Sequence, residues 1–259
     1  MNNKILVTGT KSGLGKYIYE TLPNTVGLSR ENRKILIKKN DCYDMIIHCA
    51  FNTKNAGKKD IDDYFDYVDD NILLTNDLVK LKHKKFVYMS SISVYDKIPT
   101  PYNQTKLFAE SIVQKISNKP LIIRCASLLG SAMRSNTITK IITEDNPRIT
   151  LSKESTYNFV MHKDIVEFIS KCYNNNVTGI FDFLASDFIR LEDIVKRLNR
   201  EVNFGEYTFT TNKVDNKKLT GMFPEFNKSS WEALELFIEE IKWRQYYYVG
   251  LMALLARIF

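Results

Sequence analysis

Residues 4–15 read Lys4-Ile5-Leu6-Val7-Thr8-Gly9-Thr10-Lys11-Ser12-Gly13-Leu14-Gly15. A short apolar run leads into a cluster of glycines, the pattern of a strand buried on both faces and ended by a turn. A helical pattern follows, with Leu14, Ile18 and Leu22 on one side. Glycines in a strand-to-helix turn permit a tight bend and let backbone N–H groups approach a pyrophosphate, and the helix N-terminus adds favourable partial charge. Gly9, Thr10, Lys11, Ser12, Gly13, Leu14 and Gly15 are therefore candidate ligands of a dinucleotide. A tight turn without a ligand is the competing reading.

Outward from this turn, further apolar runs read as strands: Thr25 to Ser29, Asp44 to Ala50, Lys85 to Met89 and Leu121 to Arg124. A long helical segment, about Ile61 to Lys82, lies between two of them, and a second helix begins near Tyr102. Strands alternating with helices predict right-handed crossovers and a doubly wound, Rossmann-like parallel sheet of the α/β class. After Arg124 the regularity weakens. Asn146-Pro147 and Phe223-Pro224 read as turns, Gly179 to Ala185 as a late strand, and Leu191 to Asn199 and Trp231 to Lys242 as helices. The predicted organisation is one domain over residues 1–245, with the Rossmann core mainly in 1–125 and a small substrate lobe mainly in 126–245. A hydrophobic tail follows at 246–259.

Composition excludes several classes. With 259 residues, 44% hydrophobic and 26% charged, the chain resembles neither a disordered nor a fibrous protein. The net charge of +7 is spread along the chain among Asp and Glu, and no nucleic-acid module is present, so no nucleic-acid partner is expected. An anionic cofactor or substrate and a solvated basic surface both fit that charge. Cys42, Cys49, Cys125 and Cys172 show neither metal-ligand nor Cys-x-x-Cys spacing, so no metal site is expected, and three of them sit in apolar or strand-like runs, which suggests buried thiols in a reducing compartment. The first strand begins almost at residue 1 with no secretory pattern before it, so the expected location is cytoplasmic.

Two stretches carry chemistry. At the end of the second strand an Asp or Glu would bind the adenosine ribose of NAD. Here Ser29 and Arg30 stand there, and a cation beside a hydroxyl suits the 2′-phosphate of NADP. NADP(H) is thus favoured over NAD(H), unless Arg30 is a plain surface residue. Tyr102 and Lys106 lie four apart, on one face of a helix. An ammonium there lowers the Tyr pKa and helps it exchange a proton with a hydroxyl or carbonyl while hydride moves to or from nicotinamide. An exposed helical pair is the plainer alternative. Upstream, Ser90, Ser91 and Ser93 end a strand at the sheet edge where ligands bind, and one of their hydroxyls would reach the reacting oxygen.

Taken in order, KILVTG, DMIIHCA, Asn71 in DDNILLTNDLVK, FVYMSSISVY, PYNQTKLFAE, LIIRCASLLG, YNFVMHKDIVEF and FDFLASDFIRLEDIV resemble the segments of the extended short-chain dehydrogenases, the NAD-dependent epimerase/dehydratase family. The resemblance runs nearly the whole length. It implies an NAD(P)-dependent enzyme acting on a sugar nucleotide, with Tyr102 as acid/base and Lys106 as its partner and ribose ligand. It also implies Ser91 as the catalytic hydroxyl (Ser93 as fallback), Ala50 beside the nicotinamide, and a homodimer through the long helices. Departures from the family pattern are specific. The turn has Gly-x-x-x-Gly-x-Gly spacing, the stretch from Arg30 to Asp44 is short enough to reduce one strand-helix unit, and Ser127 stands where relatives carry Asn. Ile92 and Ser93 replace the Asp-Glu pair of the 4,6-dehydratases, which argues against water elimination.

The reading is an NADP(H)-dependent reductase of a keto-sugar nucleotide. An NAD-dependent 4-epimerase and a non-catalytic NAD(P)-binding regulator are the alternatives. His48 and His162 read as core or capping residues and Asp164 as a helix-start carboxylate. The tail from Tyr246 to Phe259 is too short to span a bilayer. It reads as an interfacial helix making peripheral membrane contact, or as a segment packed on a partner or on this chain's own core.

Overall fold

The computed structural model describes residues 4–54 and 64–255, with 244–255 described by backbone alone. The first half runs β1 (Ile5–Thr8), α1 (Gly13–Thr21), β2 (Thr25–Leu28), α2 (Arg33–Lys39), β3 (Tyr43–His48), α3 (Tyr64–Val68), a π-helical turn (Asp69–Leu73), α4 (Leu74–Lys80), β4 (His83–Ser91), a 3₁₀ turn (Ile92–Tyr95), α5 (Pro101–Ile116) and β5 (Pro120–Cys125). The second half adds β6 (Ser127–Leu129), α6 (Thr137–Thr143), β7 (Thr156–Tyr157), β8 (Phe159–Met161), α7 (His162–Asn174), β9 (Gly179–Phe183), β10 (Ile189–Arg190), α8 (Leu191–Arg197), α9 (Lys217–Met222) and α10 (Ser230–Leu255).

Six strands form one parallel sheet in the order β2-β1-β3-β4-β5-β9. Its strands are apolar at successive positions because both faces are covered. Ile5, Val7, Ile47, Val87 and Ile123 pack toward Leu14 and Ile18 of α1 and Phe168 of α7. The alternate residues Leu6, Ile46, Phe86 and Ile122 pack toward Leu78 of α4 and Ala109 and Val113 of α5. This is the doubly wound α/β arrangement predicted from the sequence. Ile18 is fully buried, so Ile18→Ala would cost about 2–5 kcal/mol.

The short segment between Arg30 and Asp44 has the predicted effect: only α2 links β2 to β3, and β2 is the edge strand. The chain leaves β1 for β2 on one side and returns to β3 on the other. A crevice therefore opens between the C-terminal ends of β1 and β3, the place where open α/β sheets bind ligands.

After β5 a second cluster forms around Leu129, Ile141, Phe159, Leu191, Ile194 and Phe237, with β6 paired to β8 and β10 to β7. This cluster is separate from the two that cover the faces of the sheet. The backbone of α10 runs through residue 245 without a break, so the tail boundary falls inside a helix. Among the described residues no helix is long and apolar enough to cross a membrane. The side chains on which interfacial contact by the tail would rest lie outside the described residues.

Candidate active site

The glycine turn is locked to the end of β3. Gly9 has φ +75°, and a Cβ there would lie 3.0 Å from the Ala50 nitrogen. A Cβ on Gly15 would lie 2.5 Å from the Gly9 oxygen, so glycine is needed for α1 to pack against β1. Below the turn, the Thr8 hydroxyl accepts from the N–H groups of Cys49 (3.1 Å) and Ala50 (2.9 Å) and lies 2.7 Å from His48 Nδ1. His48 Nε2 is 2.9 Å from the Thr75 hydroxyl, which itself donates to the Asn71 carbonyl at 2.8 Å. Thr75 thus accepts from His48, which is held as the Nε2–H tautomer with Nδ1 accepting from Thr8. Burial pushes the His48 pKa down to about 3, so it is a neutral strut rather than a proton carrier.

Gly9, Thr10, Lys11, Ser12, Ser29, Arg30 and Ala50 line one cleft in the crevice. Gly13, Leu14 and Gly15 do not. Leu14 is in the core, and the Gly13 N–H donates to the Ala132 carbonyl at 2.7 Å. Arg134 reaches in from the lobe, its Nε donating to Ser12 Oγ at 2.9 Å. At the adenosine end Lys11 pairs with Glu31 at 2.6 Å, and Arg30 pairs with Asp70. The residues fit a dinucleotide: Gly9, whose Cβ would meet Ala50 at 3.0 Å, keeps side-chain bulk off the floor of the cleft, and Lys11, Arg30 and Arg134 line it as cations for phosphates.

Tyr102 is set by the start of α5. The Thr100 hydroxyl accepts from the Asn103 N–H (3.2 Å), the Asn103 side chain accepts from the Thr100 N–H (2.9 Å), and Pro101 opens the first turn. Tyr102 then faces a second cavity that it shares with Ser91, Ser93 and Ser127. Ser91 lines the same cavity wall as Tyr102 and acts to lower the phenol pKa, and its oxygen accepts from the Ser93 hydroxyl at 2.9 Å. Lys106 is buried, with Nζ donating to the Met89 carbonyl at 2.7 Å and lying 4.4 Å from the Phe51 ring centroid. Behind the pair, Glu110 accepts from Ser90 (2.5 Å) and receives Arg124 (2.6 Å), joining β4, α5 and β5.

The NAD-dependent epimerase/dehydratase family model matches residues 5–181. The chain belongs to that family. No curated protein matches it in sequence. Among solved structures, dTDP-4-dehydrorhamnose reductase from Bacillus anthracis, in complex with NADP, superposes with TM-score 0.75 at 18% identity, over 93% of this chain and 100% of that one. UDP-glucuronic acid 4-epimerase from Bacillus cereus, in complex with UDP-glucuronic acid and NAD, gives TM-score 0.73 at 19% identity over 92% and 99%. An NAD-dependent NDP-hexosamine 5,6-dehydratase gives TM-score 0.73 at 16% identity over 93% and 98%. At such identity the likeness is one of fold.

Within this family frame one sequence expectation is reversed. The Tyr102 pKa is raised, not lowered: burial dominates, and the Ser91 hydrogen bond only partly opposes it. The Lys106 ammonium does not offset burial because it is turned to the Met89 carbonyl and the Phe51 ring, and its own pKa is pushed down to about 8. Residues the sequence reading missed are Phe51, Glu31, Asp70 and Arg134 around the cofactor cleft and Asp96 and Asn212 on the substrate side. Glu31 and Asp70 carried a signal, being acidic residues near the second strand and the Asn71 helix. Arg134 and Asn212 arrive from irregular segments that pattern does not place. The structural readings of His162 and Asp164 agree with their burial. Asp164 binds Lys228 at 2.7 Å, and His162 fills the space that a Cβ on Gly130 would take, 2.2 Å from Nδ1.

Proposed function

We propose that the chain is an NADP(H)-dependent reductase of a keto-sugar nucleotide, with Tyr102 as the proton donor. The pairing of Tyr102 with Ser91 on the wall of the substrate-side cavity carries this reading. With its pKa raised from the ordinary phenol value, Tyr102 carries a proton at neutral pH that it can give to a carbonyl oxygen. Reduction of a carbonyl needs an acid at that oxygen, whereas oxidation of an alcohol needs a base.

A nicotinamide cofactor, when bound, supplies the hydride. Tyr102 gives its proton to the carbonyl oxygen as charge develops there. Ser91, whose oxygen accepts from Ser93, would turn its hydroxyl proton from the phenol to the same oxygen. Lys106 stabilises the tyrosinate left behind once its ammonium is free of the Phe51 ring. Sugar-nucleotide chemistry is supported by the family and by the substrates named for the similar structures. Ile92 and Ser93 in place of an acidic pair speak against elimination.

Lys11 and Arg30 flank Ser29 in the cleft and would take a 2′-phosphate. Glu31 and Asp70 line the same cleft and favour the second reading, a 4-epimerase that retains NAD. Fluorescence titration of cofactor-stripped protein separates the two. Binding of NADPH at least tenfold tighter than NADH is expected. Tighter NADH moves the assignment to the epimerase, and binding of neither overturns both.

A further inference from the structure

The cavity beside Tyr102 has a volume of about 420 Å³ and reaches from the end of β4 to the strap at residues 207–212. Its wall offers the hydroxyls of Ser91, Ser93, Thr100, Tyr102, Thr210 and Thr211. Beyond the bonds that Ser93, Thr100 and Thr211 already make, these hydroxyls keep further donor or acceptor capacity, which suits a ring bearing several hydroxyl groups. Among the described lining residues there is no Lys, Arg or His, and the one ionisable acid is Asp96. Arg124, the nearest candidate cation by sequence, is committed to Glu110 and Tyr95 and does not line the cavity.

Asp96 is fixed rather than loose. Its carboxylate accepts from the Asn212 side-chain amide, which ties the strap to the Rossmann core. On its other side the strap is bound to the lobe, with Thr156 N–H donating to the Phe209 carbonyl (2.8 Å) and the Thr211 hydroxyl donating to the Thr156 carbonyl (2.9 Å). The carboxylate is solvent-exposed at the rim of the cavity, held there by Asn212, with no Lys, Arg or His among the lining residues. Its negative charge reaches the Tyr102 phenol as a small addition to the effect of burial. A second carboxylate in that cavity would face like charge without a counter-ion.

We propose that the sugar held against Tyr102 is an uncharged, hydroxyl-bearing ring, and that Asp96 is the residue that refuses a uronic acid. This rests on the sugar-nucleotide reading above and names the class of sugar within it.

Isothermal titration of the NADPH-loaded chain with glucose and glucuronic acid, each linked to UDP and to dTDP, tests it. Each pair differs only at C6, so the ratio isolates the carboxylate. At least tenfold weaker binding of the glucuronic acid compound is expected. Asp96→Asn, which keeps an acceptor for Asn212, should shrink the gap between the two compounds to within threefold. Asp96→Glu should keep the gap. Equal or tighter binding of the uronic acid by wild type overturns the inference, as does a gap unchanged in Asp96→Asn. If none of the four compounds binds, the sugar-nucleotide reading itself falls and this inference with it.

Discussion

The rings of Phe51 and Tyr102 meet edge to face, with centroids 5.0 Å apart and planes at 77°. Phe51 also lies under the Lys106 ammonium and lines the cofactor cleft, whereas Tyr102 opens to the substrate-side cavity. One side chain thus separates the two halves of the site. It stands immediately after Ala50.

A nicotinamide that passed from the cofactor cleft to Tyr102 would have to displace this ring from its contacts, each worth about 0.5–1.5 kcal/mol. Phe51→Ala removes that cost. NADPH binding about threefold to tenfold tighter is expected by fluorescence titration. An unchanged or weaker affinity would show that the ring is no barrier.

Lys106 has a pKa near 8 before cofactor enters, because it is buried. Its ammonium is lost as pH rises through that value, and a ligand that needs the charge then binds less well. The Kd for NADPH should rise by up to tenfold per pH unit between about pH 8 and 10. Lys106→Met should bind weakly throughout and flatten that rise. A wild-type Kd constant across the window would remove Lys106 from cofactor binding.

Arg30 reaches the adenosine end but is held by Asp70, two parts of one ion pair. Arg30→Ala should weaken NADPH about tenfold, the scale of a lost charge-assisted hydrogen bond, and leave NADH within threefold. Asp70→Asn should act in the opposite direction by freeing the guanidinium. Equal losses for both cofactors in Arg30→Ala would place Arg30 away from the 2′ position.

His48 makes the fold acid-sensitive. Its folded pKa of about 3 lies below the ordinary 6.5, so between these values the unfolded chain binds a proton that the folded chain refuses. Stability therefore falls as pH drops from 6.5 toward 3, by at most about 4–5 kcal/mol from this residue. His162, with a pKa near 4, adds in the same direction. Urea denaturation should find His48→Asn less stable than wild type at pH 7 but with a shallower loss below pH 6.5. Parallel pH profiles would contradict this.

The Rossmann half was legible because its physics is local. β1, β3, β4 and β5 are covered on both faces, so they appear as apolar runs, and the glycines of the turn mark a close approach that no side chain permits. The helix over Arg33–Lys39 was not seen: it buries no residue, and Ile35 is 69% exposed, so it leaves no apolar stripe. The lobe was hidden for another reason. Its strands are two or three residues long and pair across distant segments, as Ser127–Leu129 does with Phe159–Met161. The Tyr102 and Lys106 pair is read from helical spacing and Ser91 from the family resemblance, and Tyr102 and Ser91 line one cavity. What spacing did not tell was the direction of the Lys106 side chain. Four residues on a helix give a shared face, but the Met89 carbonyl and Phe51 ring, from other elements, decide where the ammonium goes.

Reduction through Tyr102 is tested by following NADPH oxidation at 340 nm with a 4-keto-sugar nucleotide, in wild type and in Tyr102→Phe. Phe keeps the ring against Phe51 and removes only the phenol. A fall in kcat of about 10²–10⁴-fold, with the NADPH Kd unchanged, is the expected result. Turnover by Tyr102→Phe at the wild-type rate would contradict a proton donated by Tyr102.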